Sequence, residues 1–124
     1  MKAILRNGFL ALAIMALAVP ADAGPFEDGL GAYNRKDYAE AMKLFHRAAE
    51  QGDPDSQAML GVMYYIGEGV PQDYVLAHMW HNLATAHGSP LSGNLRDDIA
   101  LMMTPDQIAE AQRMAREWLE KHPQ

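Results

Sequence analysis

Two histidines at helical spacing are the residues of this chain best suited to chemistry. His78 and His81 lie three positions apart, so on an α-helix their imidazoles would share one side. Two imidazoles at this spacing can begin a zinc or copper site, which needs at least a third ligand. His46 and His87 are the candidates for that ligand if the fold brings them close. Ordinary histidines on a polar helix face are the alternative, and we predict neither a metal nor a cofactor.

The other reactive side chains have simpler explanations. Met59 and Met63 lie one helical turn apart but within apolar stripes, where methionine fills gaps in a core. Acidic pairs such as Asp97 and Asp98 stand near predicted helix starts, where they complement the helix dipole.

Sequence motifs for catalysis are missing. The chain has no cysteine, which excludes disulfides, thiolate metal sites and a cysteine nucleophile. It contains neither a phosphate-binding Gly-x-x-x-x-Gly-Lys loop nor the Ser-x-x-Lys and Gly-x-Ser-x-Gly motifs of serine nucleophiles. We therefore predict no catalytic residue and no enzyme.

The composition is that of a folded, acidic chain. Its 124 residues provide for one domain or a short array, and 49% of them are hydrophobic against 21% charged. Acids outnumber bases 16 to 10 and no basic stripe occurs, so nucleic acid is not an expected partner.

The first 23 residues resemble a secretory signal peptide. Lys2 and Arg6 precede an unbroken apolar run at positions 9–19, and the small residues Ala21 and Ala23 supply a cleavage site. The run would be ~16 Å long as a helix, about half of a ~30 Å hydrocarbon core. We expect cleavage after Ala23, an uncleaved anchor being the alternative. The mature chain would carry a net charge of −7, would not insert stably in a membrane, and would be periplasmic or secreted.

The remaining chain contains an internal repeat. Residues 37–52 align with residues 73–88 at a shift of 36, and a period of this length indicates stacked helical hairpins. The matched pairs are Asp37/Asp73, Tyr38/Tyr74, Ala41/Ala77, Leu44/Trp80, Ala48/Ala84 and Gly52/Gly88.

The second unit has clear helix boundaries. Asp53 and Pro54 are typical of a helix start, and an apolar segment follows at positions 58–66. The Gly67-Glu68-Gly69 segment predicts a helix stop. Asp73 is expected to begin a second helix that reaches Gly88 and carries two apolar stripes. Two stripes indicate a helix packed between neighbours.

The flanking segments have weaker patterns. Positions 26–34 and 37–51 predict the helices of the first unit, the latter with an outer charged stripe that we expect to be solvated. Near the C-terminus, Asn94 would cap a short helix, and Thr104 with Gln107 forms a capping box for a long one. We expect this third pair to cover the end of the stack.

The second unit carries a series of small, aromatic and glycine residues in a fixed order: Ala58, Leu60, Gly61, Tyr64, Gly67, Gly69, Val70, Asp73, Tyr74, Ala77, Trp80 and Ala84. In this series it resembles a Sel1-like repeat, a relative of the tetratricopeptide (TPR) repeats. The first unit lacks the Gly-x-Gly-Val segment and looks degenerate, whereas the C-terminal tail is similar to that of exported bacterial members.

The resemblance implies an all-α fold of right-handed stacked hairpins, a short α-solenoid. Its segments would be a signal peptide at 1–23, a degenerate first repeat at 24–53, a Sel1-like repeat at 54–88 and a capping helix pair at 89–124. In this arrangement Ala58 and Gly61 would allow two helix backbones to approach closely, and Trp80 would be a large buried anchor.

The function implied is a non-catalytic scaffold of the cell envelope that binds a protein or peptide on its concave face. Asn34, Gln57 and Tyr65 lie on first helices and are the expected contact residues. A self-dimer is also compatible with this sequence. The alternative is a small envelope enzyme or metal-binding protein that uses His78 and His81.

Overall fold

The computed structural model describes residues 24–124, so the predicted signal peptide lies outside the described part. These residues form helices without any strand, which confirms the all-α prediction. No helix within residues 24–124 is long and apolar enough to cross a membrane. The helices are α1 (Pro25–Asn34), α2 (Tyr38–Ala49), α3 (Pro54–Ile66), α4 (Tyr74–Ala86), α5 (Ser92–Ala100) and α6 (Pro105–Lys121).

The helices pack in chain order as far as α4. Helix α1 packs on α2, α2 on α3, and α3 on α4, which is the arrangement of stacked hairpins. Both α5 and α6 then pack on α4. The last two helices therefore pack mainly on α4 rather than on each other as a third hairpin. The prediction of a helix packed between neighbours is confirmed for α4, which buries seven residues.

Side-chain caps begin most of the helices where the sequence predicts them. Asp37, Asp53 and Asp73 each accept a hydrogen bond from the backbone N–H three residues later, at 3.4, 2.8 and 3.0 Å. Thr104 and Gln107 form the expected capping box, with each side chain bonded to the other residue's backbone. Such caps satisfy N–H groups that have no partner within the helix.

The start of α5 differs from the prediction. Asn94 lies inside the helix, whose first residue is Ser92 and whose cap residue has no side-chain hydrogen bond. The Ser92 hydroxyl is buried, 2.9 Å from the Ser89 hydroxyl and 3.3 Å from Nδ1 of His81. Ser92 thus joins the first turn of α5 both to the preceding connection and to α4.

The core is centred on α4 and contains both tryptophans. Trp80 is buried and meets the ring of Trp118 from α6 edge-on, with ring centroids 6.2 Å apart. Phe45 from α2 and Leu60 from α3 are fully buried in the same cluster. The core therefore joins both hairpins to the last helix.

The last helix also reaches back to the first hairpin. The imidazole of His122 stacks on Trp118 at 3.8 Å between ring centroids. Its Nε2 atom lies 2.5 Å from the Glu50 carboxylate, just beyond the end of α2. The end of α6 is thus attached to residues 72 positions earlier in the chain.

The Gly67-Glu68-Gly69 loop both ends α3 and joins the two hairpins. Gly67 adopts the left-handed conformation expected of a helix stop, with φ of +86°. At Gly69, a Cβ atom would lie 2.9 Å from the Tyr38 Cβ, so the loop lies directly against α2. The Glu68 carboxylate accepts a 2.7 Å hydrogen bond from the Tyr33 hydroxyl, which raises the pKa of Tyr33 to about 12.

Gly61 gives space to a side chain rather than to another backbone. A Cβ atom at this position would lie 2.6 Å from Nε2 of His81 and less than 3 Å from two ring carbons. From the sequence we expected two helix backbones to approach closely here. Instead, the α3 backbone at Gly61 contacts an imidazole of α4.

Replacing Gly61 with alanine should lower the free energy of unfolding, because the new Cβ would overlap the His81 ring. Overpacking costs about 1–3 kcal/mol, and the higher helix propensity of alanine returns roughly 1 kcal/mol, so the expected net loss is up to about 2 kcal/mol. Urea unfolding followed by circular dichroism measures the change.

Gly93→Ala in α5 is the matched control. Its Cβ would lie 3.6 Å from the Thr85 hydroxyl oxygen, an ordinary contact, so stability should be unchanged or slightly higher. Equal effects of the two substitutions would contradict the contact that we assign to Gly61.

Candidate binding groove

The two histidines best suited to chemistry, His78 and His81, are buried, although the sequence led us to expect them on a polar face of the helix. His78 is 3% exposed and His81 is 1% exposed. His81 fits between Gly61 and the hydroxyl of Ser92, and its burial lowers its pKa to about 4. Burial likewise lowers the pKa of His78, whose Nδ1 atom has no hydrogen-bond partner among the described residues. Both rings are therefore neutral at pH 7.

The candidate third ligands are held by other contacts. His46 packs edge-on against Trp80, with ring centroids 5.5 Å apart. Nδ1 of His87 lies 3.0 Å from the Gln57 side-chain oxygen. Within residues 24–124, no group of three or more histidine and acidic side chains is arranged to hold a metal ion. In the described structure, His78 and His81 therefore do not form a metal site with His46 or His87.

Gln57 was expected to contact a ligand, and this prediction is wrong. Its side chain is fully buried, with Nε2 donating a 3.1 Å hydrogen bond to the Ala49 carbonyl oxygen. Its amide oxygen meets His87, so the side chain joins α2, α3 and the end of α4. The position on a first helix was read correctly, but the side chain points into the interior.

A groove with two cavities runs between α3 and α5, and Leu95 lines both cavities. The smaller cavity has a volume of about 130 Å³ and is lined by Val62, Tyr65, His81, Leu95, Asp98 and Ile99. The larger has a volume of about 320 Å³ and also contacts α1 through Phe26 and the α4–α5 connection through Leu91. The first helices of both hairpins and α5 thus share one surface, which we call the α3–α5 groove.

The other two predicted contact residues have different positions. Tyr65 lines the smaller cavity and is 37% exposed, with its ring beside that of Tyr74. Asn34 is exposed at the end of α1 and lines neither cavity. Of the three residues, only Tyr65 lies in the groove.

The sequence did not identify the α5 side of the groove. Leu91 and Leu95 are 68% and 40% exposed, and Asp98 is also exposed. A signal was present in the sequence, because Leu91, Leu95 and the acidic pair Asp97 and Asp98 lie within eight residues, and two adjacent carboxylates favour solvent exposure. It was missed because this helix was expected to belong to a pair that covers the end of the stack.

Known proteins share this sequence pattern and arrangement. A family model described as the Sel1 repeat matches residues 11–53 and 54–89, which is more than half of the chain. The chain is also similar to the crystal structure of a protective antigen present in uropathogenic Escherichia coli strains, which displays an SLR fold. The sequence identity is 31% and the TM-score is 0.74 over 79% of this chain. This chain matches 22% of the antigen, about a fifth of its length.

Acidification should destabilise the protein through His81. The folded protein holds its pKa near 4, whereas an unfolded chain has a histidine pKa of about 6.5, so the unfolded state binds more protons as the pH falls below 6.5. The free energy of unfolding should therefore fall by about 1 kcal/mol when the pH is lowered from 7.5 to 5.5. Urea unfolding at the two pH values measures the loss.

His81→Gln serves as the control, since it removes the titrating group. Its stability should change less between the same two pH values than that of the parent protein, with His78 accounting for a residual loss. An identical pH dependence in both proteins would rule out His81 as the cause.

Proposed function

Since this chain belongs to the Sel1 repeat family, we propose that it is a non-catalytic scaffold that binds a protein or peptide in the α3–α5 groove. Sel1 repeats commonly mediate protein–protein interactions, and the described helices have the corresponding arrangement. The observation that carries the proposal is the pair of cavities joined at Leu95 on the surface shared by α1, α3 and α5.

Exposed apolar side chains support binding at this surface. Leu91 is 68% exposed at the rim of the larger cavity, and Leu95 and Tyr65 are about two-fifths exposed in the groove itself. Large apolar groups that cluster at a concave surface are typical of interaction sites, because a partner removes them from water.

A catalytic role finds no support in the groove. The serine–histidine contact of Ser89, Ser92 and His81 resembles part of a hydrolase relay, but Nε2 of His81 is pressed against Gly61, and no carboxylate among residues 24–124 forms a hydrogen bond with the ring. A general base needs an imidazole nitrogen within reach of the substrate proton and a pKa near the working pH. The contact instead fastens α5 to α4.

We further propose that the protein acts in the bacterial cell envelope after removal of residues 1–23. The support is the order of positive charge, apolar run and small residues at the beginning of the sequence. The absence of cysteine from the whole chain agrees with a fold that needs no disulfide after export.

Crosslinking within cells tests the binding proposal. A photoreactive benzoylphenylalanine in place of Leu95 should give a discrete heavier adduct on irradiation, because this position lines both cavities. Electrophoresis with detection of the chain measures the adduct, and mass spectrometry identifies the captured segment.

Leu119 on α6 provides a matched control position, since it is 38% exposed against 40% for Leu95 and lies outside both cavities. The same probe there should give little or none of that adduct. Equal adducts at the two positions, or no adduct at position 95, would exclude the α3–α5 groove as the binding site.

Export is tested by the mass of the protein recovered from a bacterial envelope fraction. We expect a chain that begins at Gly24, because cleavage follows the small residue Ala23. Ala23→Arg should block this cleavage and leave a longer product. A full-length parent chain confined to the cytosol would contradict the proposed location.

A further inference from the structure

The α3–α5 groove has two distinct ends. Asp55 near the start of α3 and Leu91 beside the start of α5 line the larger cavity. Tyr65 near the end of α3 and Ile99 near the end of α5 line the smaller one. The two helices therefore run in the same direction along the groove. From Asp55 to Tyr65 the groove is about 15 Å long, the length of four or five extended residues.

The cavity volumes limit what each end can accept. The smaller volume of about 130 Å³ is close to the ~150 Å³ of a cavity that holds one benzene ring. One leucine, methionine or phenylalanine side chain would fill it. The larger volume of about 320 Å³ can take a second side chain together with part of a peptide backbone.

Each cavity also carries one exposed carboxylate. Asp55 lines the larger cavity and Asp98 the smaller one. Neither belongs to an ion pair among residues 24–124, and neither cavity is lined by a lysine or an arginine. The nearby Asp97 is different, because its carboxylate pairs with Arg96 at 3.1 Å. The groove is therefore apolar along its length and negative at both ends.

We propose that the occupant of the groove is a peptide segment in which an apolar side chain lies between two basic residues. The apolar side chain enters the cavity beside Tyr65 and Leu95, and the basic residues approach Asp55 and Asp98. Since the carboxylates are about 10–15 Å apart along the helices, the basic residues lie three to five positions apart in an extended segment. This inference rests on the proposed function and names the chemistry of its partner.

Charge complementarity decides in favour of this class of segment. An acidic segment would place like charges against Asp55 and Asp98, which lowers affinity and slows association. An uncharged apolar segment would fill the cavities but would leave both carboxylates partly desolvated without a partner, at a cost in free energy.

The inference is tested by selecting binders from a library of random heptapeptides. The target of the selection is the purified protein, expressed from its full sequence. Enriched peptides should contain lysine or arginine on both sides of a large apolar residue. Fluorescence polarisation then measures the affinity of the most enriched peptide for the parent protein and for variants. Binding should weaken as salt is raised, since both carboxylates are exposed and screened by ions.

Asp55→Lys with Asp98→Lys should weaken binding of this peptide by about tenfold or more, because two attractions become repulsions. The control is Asp106→Lys with Glu120→Lys on α6, which changes the net charge equally at exposed positions outside both cavities. The affinity of this control variant for the peptide should stay within about twofold of the parent value at moderate salt, because exposed charges outside the groove are screened over ~8–10 Å.

Three results would overturn the inference: enrichment of acidic or uncharged peptides, equal weakening by the two double variants, or no enriched peptide. The crosslink at Leu95 tests the proposed function separately. A crosslink at that position together with acidic selected peptides would refute the partner chemistry and leave the binding role in place.

Discussion

The close fit of α4 among its neighbours is the constraint on which the structure depends. Only glycine at position 61 leaves room for the His81 imidazole between α3 and α4, and the same ring lies 3.3 Å from Ser92 at the start of α5. One side chain thus fixes the positions of two helices relative to α4. Because the groove lies between α3 and α5, its width follows from this contact, and His81 also lines the smaller cavity.

The sequence predicted the features that depend on local physics. Aspartates at 37, 53 and 73 cap helices through bonds to N–H groups three residues away, and the glycine at 67 takes the left-handed conformation that ends α3. These outcomes need only the residue and its neighbours in the chain. Periodicity likewise placed Trp80 in the core, because an apolar stripe at helical spacing must face another element.

Outcomes that depend on distant partners were not predictable in the same way. Gln57 looks like a surface residue until the Ala49 carbonyl and His87 are in place to satisfy its amide. His78 and His81 are polar by type, yet tertiary packing buries both. The groove itself was only half foreseen. Tyr65 lies on a recognisable repeat helix, whereas Leu95 and Asp98 belong to a short helix whose register is set by contact with α4.

The contact of His122 with Glu50 and Trp118 has a consequence for how the protein melts. In an open array each unit touches only adjacent units, so the ends can fray independently of the middle. Here the final helix touches both the centre and the first hairpin, which closes the described chain on itself. Unfolding of the first hairpin or of α6 therefore also exposes Trp80 and Trp118 to solvent. We expect the helices to unfold together in one cooperative transition rather than one after another.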